Sequence, residues 1–259
     1  MQSPRFDIEC MESLVTNCGN LTELRLKEIG KMADPFAELL VQSGVQLTYL
    51  DLSHPGASLS EDVLISLLES IGPSLKHLDL SGHDLITPCF LRDGLKPHCS
   101  SLTSLALRDL TELTDDGVAE FFNTWNESPS ANPPLTSLDL SRNHKLATKA
   151  LNAVLAHSGS TLHHLNINSW KETSEDALNE LAASAKALRS LDVGWCREVT
   201  DFVIKGVMEE CERIKEVKVW GCNRLTANCP RKVRVNSGCA DSRSLIVVLA
   251  AEGCQHLWY

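Results

Sequence analysis

The stretch "LRSLDVGWCREVTDFV", residues 188–203, contains the two patterns that decide the fold. Its first half alternates apolar and polar residues, which is the period of a short strand with one buried face. In its second half, apolar residues follow Thr200 at helical spacing, so Thr200 is expected to cap a helix. The stretch therefore predicts a strand, a turn and a helix in succession.

The same unit recurs along the chain. The pattern L-x-x-L-x-L, with Ile or Val at some of its positions, begins eight times, at Leu21, Leu47, Leu75, Leu102, Leu135, Leu162, Leu188 and Ile214. Successive copies lie 26, 28, 27, 33, 27, 26 and 26 residues apart. Since one unit cannot bury its apolar face alone, neighbouring units must share a core. The pattern predicts an α/β leucine-rich-repeat solenoid, a horseshoe with parallel strands on the concave face and helices on the convex face.

Three regions are expected from the phase of the repeats. Residues 1–20 are predicted to form a partial repeat, with a helix from Ile8 to Val15, and residues 21–230 form the leucine-rich-repeat domain of eight repeats. Residues 231–259 are predicted to be an atypical C-terminal tail. The longest step contains "NESPSANPP", residues 126–134, and is interpreted as an exposed insertion because the repeat resumes in register after it.

The composition and net charge of the chain limit the kinds of partner that it can bind. The chain has 259 residues, of which 43% are hydrophobic and 22% charged, with a net charge of -10. Such a molecule as a whole repels nucleic acid and anionic membranes. Residues 213–243 differ, since they hold eight Lys or Arg against two Asp or Glu. No signal peptide and no run long enough to span a bilayer is visible, which predicts a cytoplasmic or nuclear protein with reduced cysteines and no membrane contact.

The ten cysteines are interpreted as packing residues. Counted from the first Leu of each repeat, Cys196 and Cys222 both occupy position nine, where other repeats carry residues such as His83 and Asn143. A second column, three residues before that Leu, holds a small residue in seven of the eight repeats: Cys18, Gly44, Gly72, Cys99, Gly159, Ala185 and Cys211. A thiol that exchanges with Gly and Ala behaves as a small hydrophobe. Because the spacing of Cys222, Cys229 and Cys239 fits no zinc pattern, neither a metal nor a cofactor is expected.

A diagonal of tryptophans and a column of aspartates suggest a surface for protein partners. Trp170, Trp195 and Trp220 occupy positions nine, eight and seven of consecutive repeats, and either they pack on one another or they form an aromatic contact patch. Position five reads Arg25, Asp51, Asp79, Ala106, Asp139, Asn166, Asp192 and Lys218. The four aspartates predict an acidic stripe that suits a basic protein segment, unless "LDLS" is simply common in such repeats.

Other residue types give weaker signals. Arg224, Arg231, Lys232 and Arg234 lie at or beyond the last strand and are candidate contacts to nucleic-acid phosphate. The concave positions also bring His77 near Ser104 and Asp79, and place His164 between Ser137 and Ser190, near Asp192. An open strand surface offers no oxyanion hole and excludes no water. We therefore expect neither an enzyme nor a small-molecule substrate.

The second half of the chain resembles a known family. The stretches "LDVGWCREVTDFV", "VKVWGCNRLTANCPRK", "LDLSRN" and "LNINSW" are similar to the leucine-rich-repeat subunit of the fungal global-genome nucleotide-excision-repair complex, the Rad-seven family. The resemblance covers about Leu14 to Lys232 and is sharpest from Leu188 onward. The stretch after Lys232 departs from the family's ending, and the family's additional N-terminal sequence is absent.

The resemblance implies a nuclear, non-catalytic scaffold that repairs damage in untranscribed DNA. Its partners would be a Swi/Snf-type ATPase with a RING finger and, through an elongin-C-type adaptor and a cullin, a ubiquitin ligase. Contact with damaged DNA or chromatin would be direct or indirect. The cysteine columns are shared with F-box leucine-rich-repeat receptors and with the antagonist-of-mitotic-exit family. A substrate receptor of a ubiquitin ligase outside repair therefore remains the alternative.

Overall fold

The structure is a computed structural model that describes residues 6–29, 34–57, 59–125, 134–229 and 246–248. A single parallel sheet runs along it in the order β1 to β9. The strands are β1 Glu23–Arg25, β2 Tyr49–Asp51, β3 His77–Asp79, β4 Ser104–Ala106, β5 Ser137–Asp139, β6 His164–Asn166, β7 Ser190–Asp192, β8 Glu216–Lys218 and β9 Ile246–Val248. The first eight strands coincide with the eight sequence repeats. The predicted leucine-rich-repeat solenoid is confirmed.

A helical segment follows most of the strands. These segments are α1 Ile8–Asn17 before the first strand, α2 Asp34–Ser43, α3 Glu61–Ile71, α4 Pro88–Phe90, α5 Lys96–His98, α6 Asp115–Trp125, α7 Thr148–Ser158, α8 Glu175–Ser184 and α9 Asp201–Glu210. A 3-10 turn covers Gly72–Ser74, and a π-helical turn, Leu91–Leu95, joins α4 to α5. No helix within the described residues is long and apolar enough to cross a membrane.

The repeats stack with every leucine in register. Leu50 pairs with Leu78, Leu78 with Leu105, and Leu105 with Leu138, and all of these side chains are buried between sheet and helices. β9 continues this pairing, since Glu216 aligns with Ile246. It lies inside the residues that the sequence assigned to a tail, and the division into three regions remains a prediction.

Position eight of every repeat turns the chain out of its strand. The backbone there has a positive φ throughout, at Glu28, His54, Gly82, Asp109, Arg142, Ser169, Trp195 and Gly221. For residues other than glycine this conformation is costly. A hydrogen bond offsets the cost, because the N–H of position eight donates to the carbonyl of position seven in the next repeat, as from Ser169 to Gly194.

The acidic first residue of a helix can cap the helix of the next repeat. A carboxylate of Asp115 accepts from the N–H groups of Ala147, Lys149 and Ala150 and so caps α7 from outside. Glu61 does the same for Phe90. The expected side-chain cap is present at Thr200, and Ser174 caps α8 in the same way. Ser60 makes no such cap; its own N–H donates to Asp34 instead.

Candidate partner-binding surface

The aspartate column, which we define as Asp51, Asp79, Asp139 and Asp192, lies along the concave face of the sheet. The strand register aligns Asp51 with Asp79 on the neighbouring strand, while Asn166 separates Asp139 from Asp192. Arg25 precedes the column and Lys218 follows it. The acidic surface is therefore most concentrated on β2 and β3 and is bounded by a cation at each end.

Each aspartate of the column also forms a hydrogen bond that stabilises the turn after its strand. One carboxylate oxygen accepts the backbone N–H two residues further on, at distances of 2.9 to 3.0 Å. Asn166 makes the same bond at 3.1 Å. This bond closes the turn that leaves the strand. The turn explains why Asp or Asn recurs at position five, and it leaves the second oxygen of Asp51 and Asp79 available to a partner.

Asp139 differs from the other members of the column. Its Oδ2 accepts from Asn166 at 3.0 Å and lies 3.9 Å from the Arg108 guanidinium. Burial raises the pKa of Asp139, although its hydrogen bonds and Arg108 oppose the shift. Asp51 and Asp79, in contrast, form no ion pair within the part of the chain that the structure describes. The negative charge open to a partner is thus greatest at Asp51 and Asp79.

Trp170 does not belong to a contact surface, and its inclusion in the predicted aromatic patch was wrong. Its side chain is 0% exposed, and its Nε1–H donates to the carbonyl of Leu140 at 2.8 Å. Among described residues the same bond, from position nine to position six of the preceding repeat, recurs at four other repeats. Its donors are His83 to Leu52, Asn143 to Leu107, Cys196 to Ile167 and Cys222 to Val193. In these five repeats position nine therefore holds an inward-facing hydrogen-bond donor, although the residue type differs from one repeat to the next.

The cysteines of this column can donate because they remain protonated. Burial raises the pKa of both the Cys196 and the Cys222 thiol to about 12. In the small-residue column, burial likewise raises the pKa of Cys99 to about 12 and that of Cys211 to about 11. A thiol held in this form is a poor nucleophile and metal ligand. These four cysteines occupy the packing positions that their columns predict.

Trp195 and Trp220 lie on the surface. Their exposed fractions are 59% and 40%. The Trp195 ring covers the backbone of Gly221, where an added Cβ would lie 2.4 Å from a ring carbon. Within the described residues the two indoles make no ring-to-ring contact. The alternative that the tryptophans pack on one another therefore does not hold for this pair.

Phe202 adds a third exposed aromatic side chain that the sequence analysis missed. It is 68% exposed and lies in the first turn of α9, seven residues after Trp195. The signal was available, because Val203, Ile204 and Val207 already supply the buried side of that helix. Among the described residues, three of the four exposed large hydrophobic side chains fall in the last two repeats.

Of the predicted phosphate contacts, only Arg224 is described. Its guanidinium forms ion pairs with Glu175 and Glu198. Two carboxylates therefore share the charge of Arg224 and link it to the two preceding repeats, and its role as a phosphate contact stays a prediction. Arg231, Lys232 and Arg234 lie outside the described residues.

The histidines and serines of the concave face lie on neighbouring strands. His77 is aligned with Ser104, and His164 with Ser137 and Ser190, yet no hydrogen bond joins these pairs in the described part of the chain. Ser190 instead donates to Glu216. Nor do the described residues contain a group of three or more His, Cys, Asp or Glu side chains that could hold a metal ion; Cys239 lies outside them.

The repeats and their columns match known proteins. The "Leucine Rich repeat" family model matches residues 73–88 and 131–152. The DNA repair protein rhp7 of Schizosaccharomyces pombe is 30% identical over 222 residues, covering 85% of this chain and 38% of that protein. The chain is a homologue of the Rad7/Rhp7 DNA repair proteins. RAD7 of Saccharomyces cerevisiae is 26% identical over 229 residues, covering 86% of this chain and 39% of that protein. The chain thus spans less than half the length of either relative.

Solved structures support the fold. The crystal structure of the Rad7 and Elc1 complex in yeast matches with a TM-score of 0.74 and 23% identity, over 94% of this chain and 58% of that chain. The leucine-rich-repeat protein LegL7 from Legionella pneumophila matches with a TM-score of 0.54 and 17% identity, over 85% and 72%. At these identities the match concerns the fold alone.

Proposed function

We propose that this chain is a non-catalytic, nuclear scaffold that binds protein partners during nucleotide-excision repair of untranscribed DNA. Its homology to Rad7/Rhp7 DNA repair proteins supports the process, and its repeat fold supports the role of a scaffold. A solenoid presents an extended concave surface on which a partner can lie. The alternative is an F-box-type substrate receptor outside repair, which has the same fold.

The exposed aromatic side chains carry this proposal. Trp195, Trp220 and Phe202 leave large apolar surface open to solvent in the last two repeats. Aromatic residues are enriched at protein interfaces, where tryptophan often supplies much of the binding energy. Asp51 and Asp79 add an unpaired acidic surface on the concave face, at which a basic segment of a partner would gain electrostatic attraction.

The partners are proposed from the relatives. Rad7 has been crystallised with Elc1, which supports an elongin-C-type adaptor, and through it a cullin-type ubiquitin ligase, as a partner of this chain. A Swi/Snf-type ATPase is the second proposed partner, and damaged DNA or chromatin would be reached directly or through it. Affinity purification of the tagged chain followed by mass spectrometry tests both. Recovery of a Swi/Snf-type ATPase supports repair, whereas recovery of a cullin without that ATPase favours the F-box-type alternative.

The contact surface is tested with a double variant in the same capture. Trp195→Ala/Trp220→Ala should weaken partner binding by at least ~1 kcal/mol, because two exposed indoles are removed. Leu85→Ala is the matched control, since Leu85 is 53% exposed but lies in an earlier repeat. Asp51→Asn/Asp79→Asn keeps the amide oxygen that closes each turn and should weaken binding of a basic partner. Normal capture by a folded tryptophan variant would remove the aromatic surface from the proposal.

A further inference from the structure

Position two of each repeat lies where the chain enters the strand, at the edge opposite the exposed aromatic residues. In the first five repeats this position is mostly threonine. The hydroxyls of Thr48, Thr103 and Thr136 each donate to the position-two carbonyl of the preceding repeat, at 3.1 to 3.2 Å. These hydroxyls tie neighbouring repeats together, so the column has a structural role there.

The last three repeats break this rule. Their position-two residues are His163, Arg189 and Lys215, and Arg213 lies two residues before Lys215. Backbone hydrogen bonds hold them on consecutive strands, since Arg189 N–H donates to His163 at 2.7 Å and Lys215 N–H to Arg189 at 2.8 Å. In the described part of the chain, the side chains of Arg189, Arg213 and Lys215 form no ion pair and no hydrogen bond. The side chains of Arg189 and Lys215, which replace threonine, therefore do not tie neighbouring repeats together as the threonine hydroxyls do.

Few carboxylates offset these charges. Glu210 pairs with Lys186 at 3.2 Å, and Glu216 pairs with Lys218 and accepts from Ser190. Glu212, which precedes Arg213 in the sequence, is exposed. Burial, followed by the positive charge of Arg189, lowers the pKa of His163. The surface around the strand entrances is thus locally positive on a chain whose net charge is -10.

We propose that this surface, the basic edge formed by His163, Arg189, Arg213 and Lys215, binds the phosphate backbone of nucleic acid. Neighbouring strands are about 4.8 Å apart, so the edge presents a row of donors on the scale of a phosphate backbone. Guanidinium groups bind phosphate through two parallel N–H bonds.

A protein partner fits the basic edge less well than nucleic acid does. Stable protein interfaces contain an apolar or aromatic centre. The exposed large hydrophobic side chains of the described chain, Leu85, Trp195, Phe202 and Trp220, all lie after the ends of strands. The basic edge lies before the strands begin. This inference assigns a surface to the direct contact with DNA that the proposed function allows, and it holds whichever protein partner is captured.

Fluorescence anisotropy of a short labelled DNA duplex, titrated with the full chain across a salt series, tests the basic edge. The variant is Arg189→Gln/Arg213→Gln/Lys215→Gln. Each lost phosphate contact reduces the log–log salt slope by about 0.9, so the slope should flatten by up to about 3 and affinity at low salt should fall by roughly tenfold or more. Circular dichroism of both proteins verifies that these surface changes leave the fold intact.

The control is Lys96→Gln/Lys171→Gln/Lys205→Gln, which removes the same three charges elsewhere on the described surface. Retained binding by the control with loss in the variant supports the basic edge. An equal loss of DNA affinity in the variant and the control would mean that only the net charge matters, and it would overturn the proposal. The proposal would also fail if the variant bound DNA as tightly as the parent chain, or if the parent chain did not bind DNA. Binding of a polyglutamate peptide, without DNA, through the same residues would show that the edge recognises acidic protein and would also overturn it.

Discussion

Tryptophan is used differently in the middle of the solenoid and at its C-terminal end. Trp125, in the fourth repeat, and Trp170, in the sixth, are 0% exposed, whereas Trp195 and Trp220, in the seventh and eighth, are 59% and 40% exposed. Trp125 lies in a cluster with Phe121, Phe122 and His157, and its ring stacks on His157 at 5.0 Å. The two exposed indoles have no comparable cluster. The middle repeats therefore use tryptophan for their core, and the last two leave it exposed to solvent.

The largest expected effect is on the buried side. Trp170→Ala should lower the free energy of unfolding by about 3 to 5 kcal/mol, because it leaves a cavity and removes the donor to Leu140. Trp195→Ala, the matched change on the exposed side, should cost less than about 1 kcal/mol. Denaturant unfolding followed by circular dichroism measures both. If the two variants were equally stable, the contrast between the middle and the end would be lost.

The next effect concerns the histidine of the buried cluster. Burial lowers the pKa of His157 to about 4, whereas a histidine in an unfolded chain has a pKa of about 6.5. As pH falls below about 6.5, the unfolded state gains a proton that the folded state does not, so stability is lost until pH nears 4. The titration of His157 alone should lower the free energy of unfolding by about 2 kcal/mol between pH 7 and pH 5.

His157→Phe tests this dependence, because it keeps a ring beside Trp125 and removes the titration. Denaturant unfolding at pH 7 and pH 5 should show a smaller loss for the variant than for the parent chain. An equal loss in the two proteins would mean that His157 takes up a proton in the folded state. The central cluster would then be open to water, like the C-terminal aromatic residues.

The smallest effect concerns the cysteines of the C-terminal repeats. Cys196→Ala removes a buried thiol and its bond of 3.3 Å to the Ile167 carbonyl, and should cost about 1 kcal/mol. Partner capture should remain unchanged, since Cys196 is 0% exposed. Metal analysis of the parent protein accompanies this measurement. Stoichiometric zinc, or loss of partner binding in the folded variant, would contradict a packing role.

The repeat itself was accessible from the sequence. The leucine spacing identified all eight repeat strands, and the helix expected from Ile8 to Val15 matches α1. The separation of Trp170 from the other two tryptophans was accessible too, because it shares position nine with His83, Asn143, Cys196 and Cys222. Grouping Trp170 with the other tryptophans followed residue type instead of column, which is why its prediction was wrong. The change from threonine to basic residues at position two was a similar signal.

Other features could not have been predicted from one sequence. Glu175 and Arg224 are 49 residues apart, and only the stacking of repeats brings them together. Their ion pair gives a residue that the sequence offered as a phosphate contact a second role, as a link between repeats. Likewise, each aspartate of the column accepts the N–H two residues further on and so closes its own turn. This bond depends on the path that the chain takes after the strand.

The sequence by itself determined the strands, their register and the shared core, because period-2 alternation sets which side chains of a strand are buried. That rule ends with the strand. At position eight a positive φ, fixed by a hydrogen bond to the next repeat, turns Trp195 outward. At position nine a donor bonded to the preceding repeat holds Trp170 inside. Only the tertiary structure decided which aromatic residues face solvent, because the bonds that orient them join different repeats.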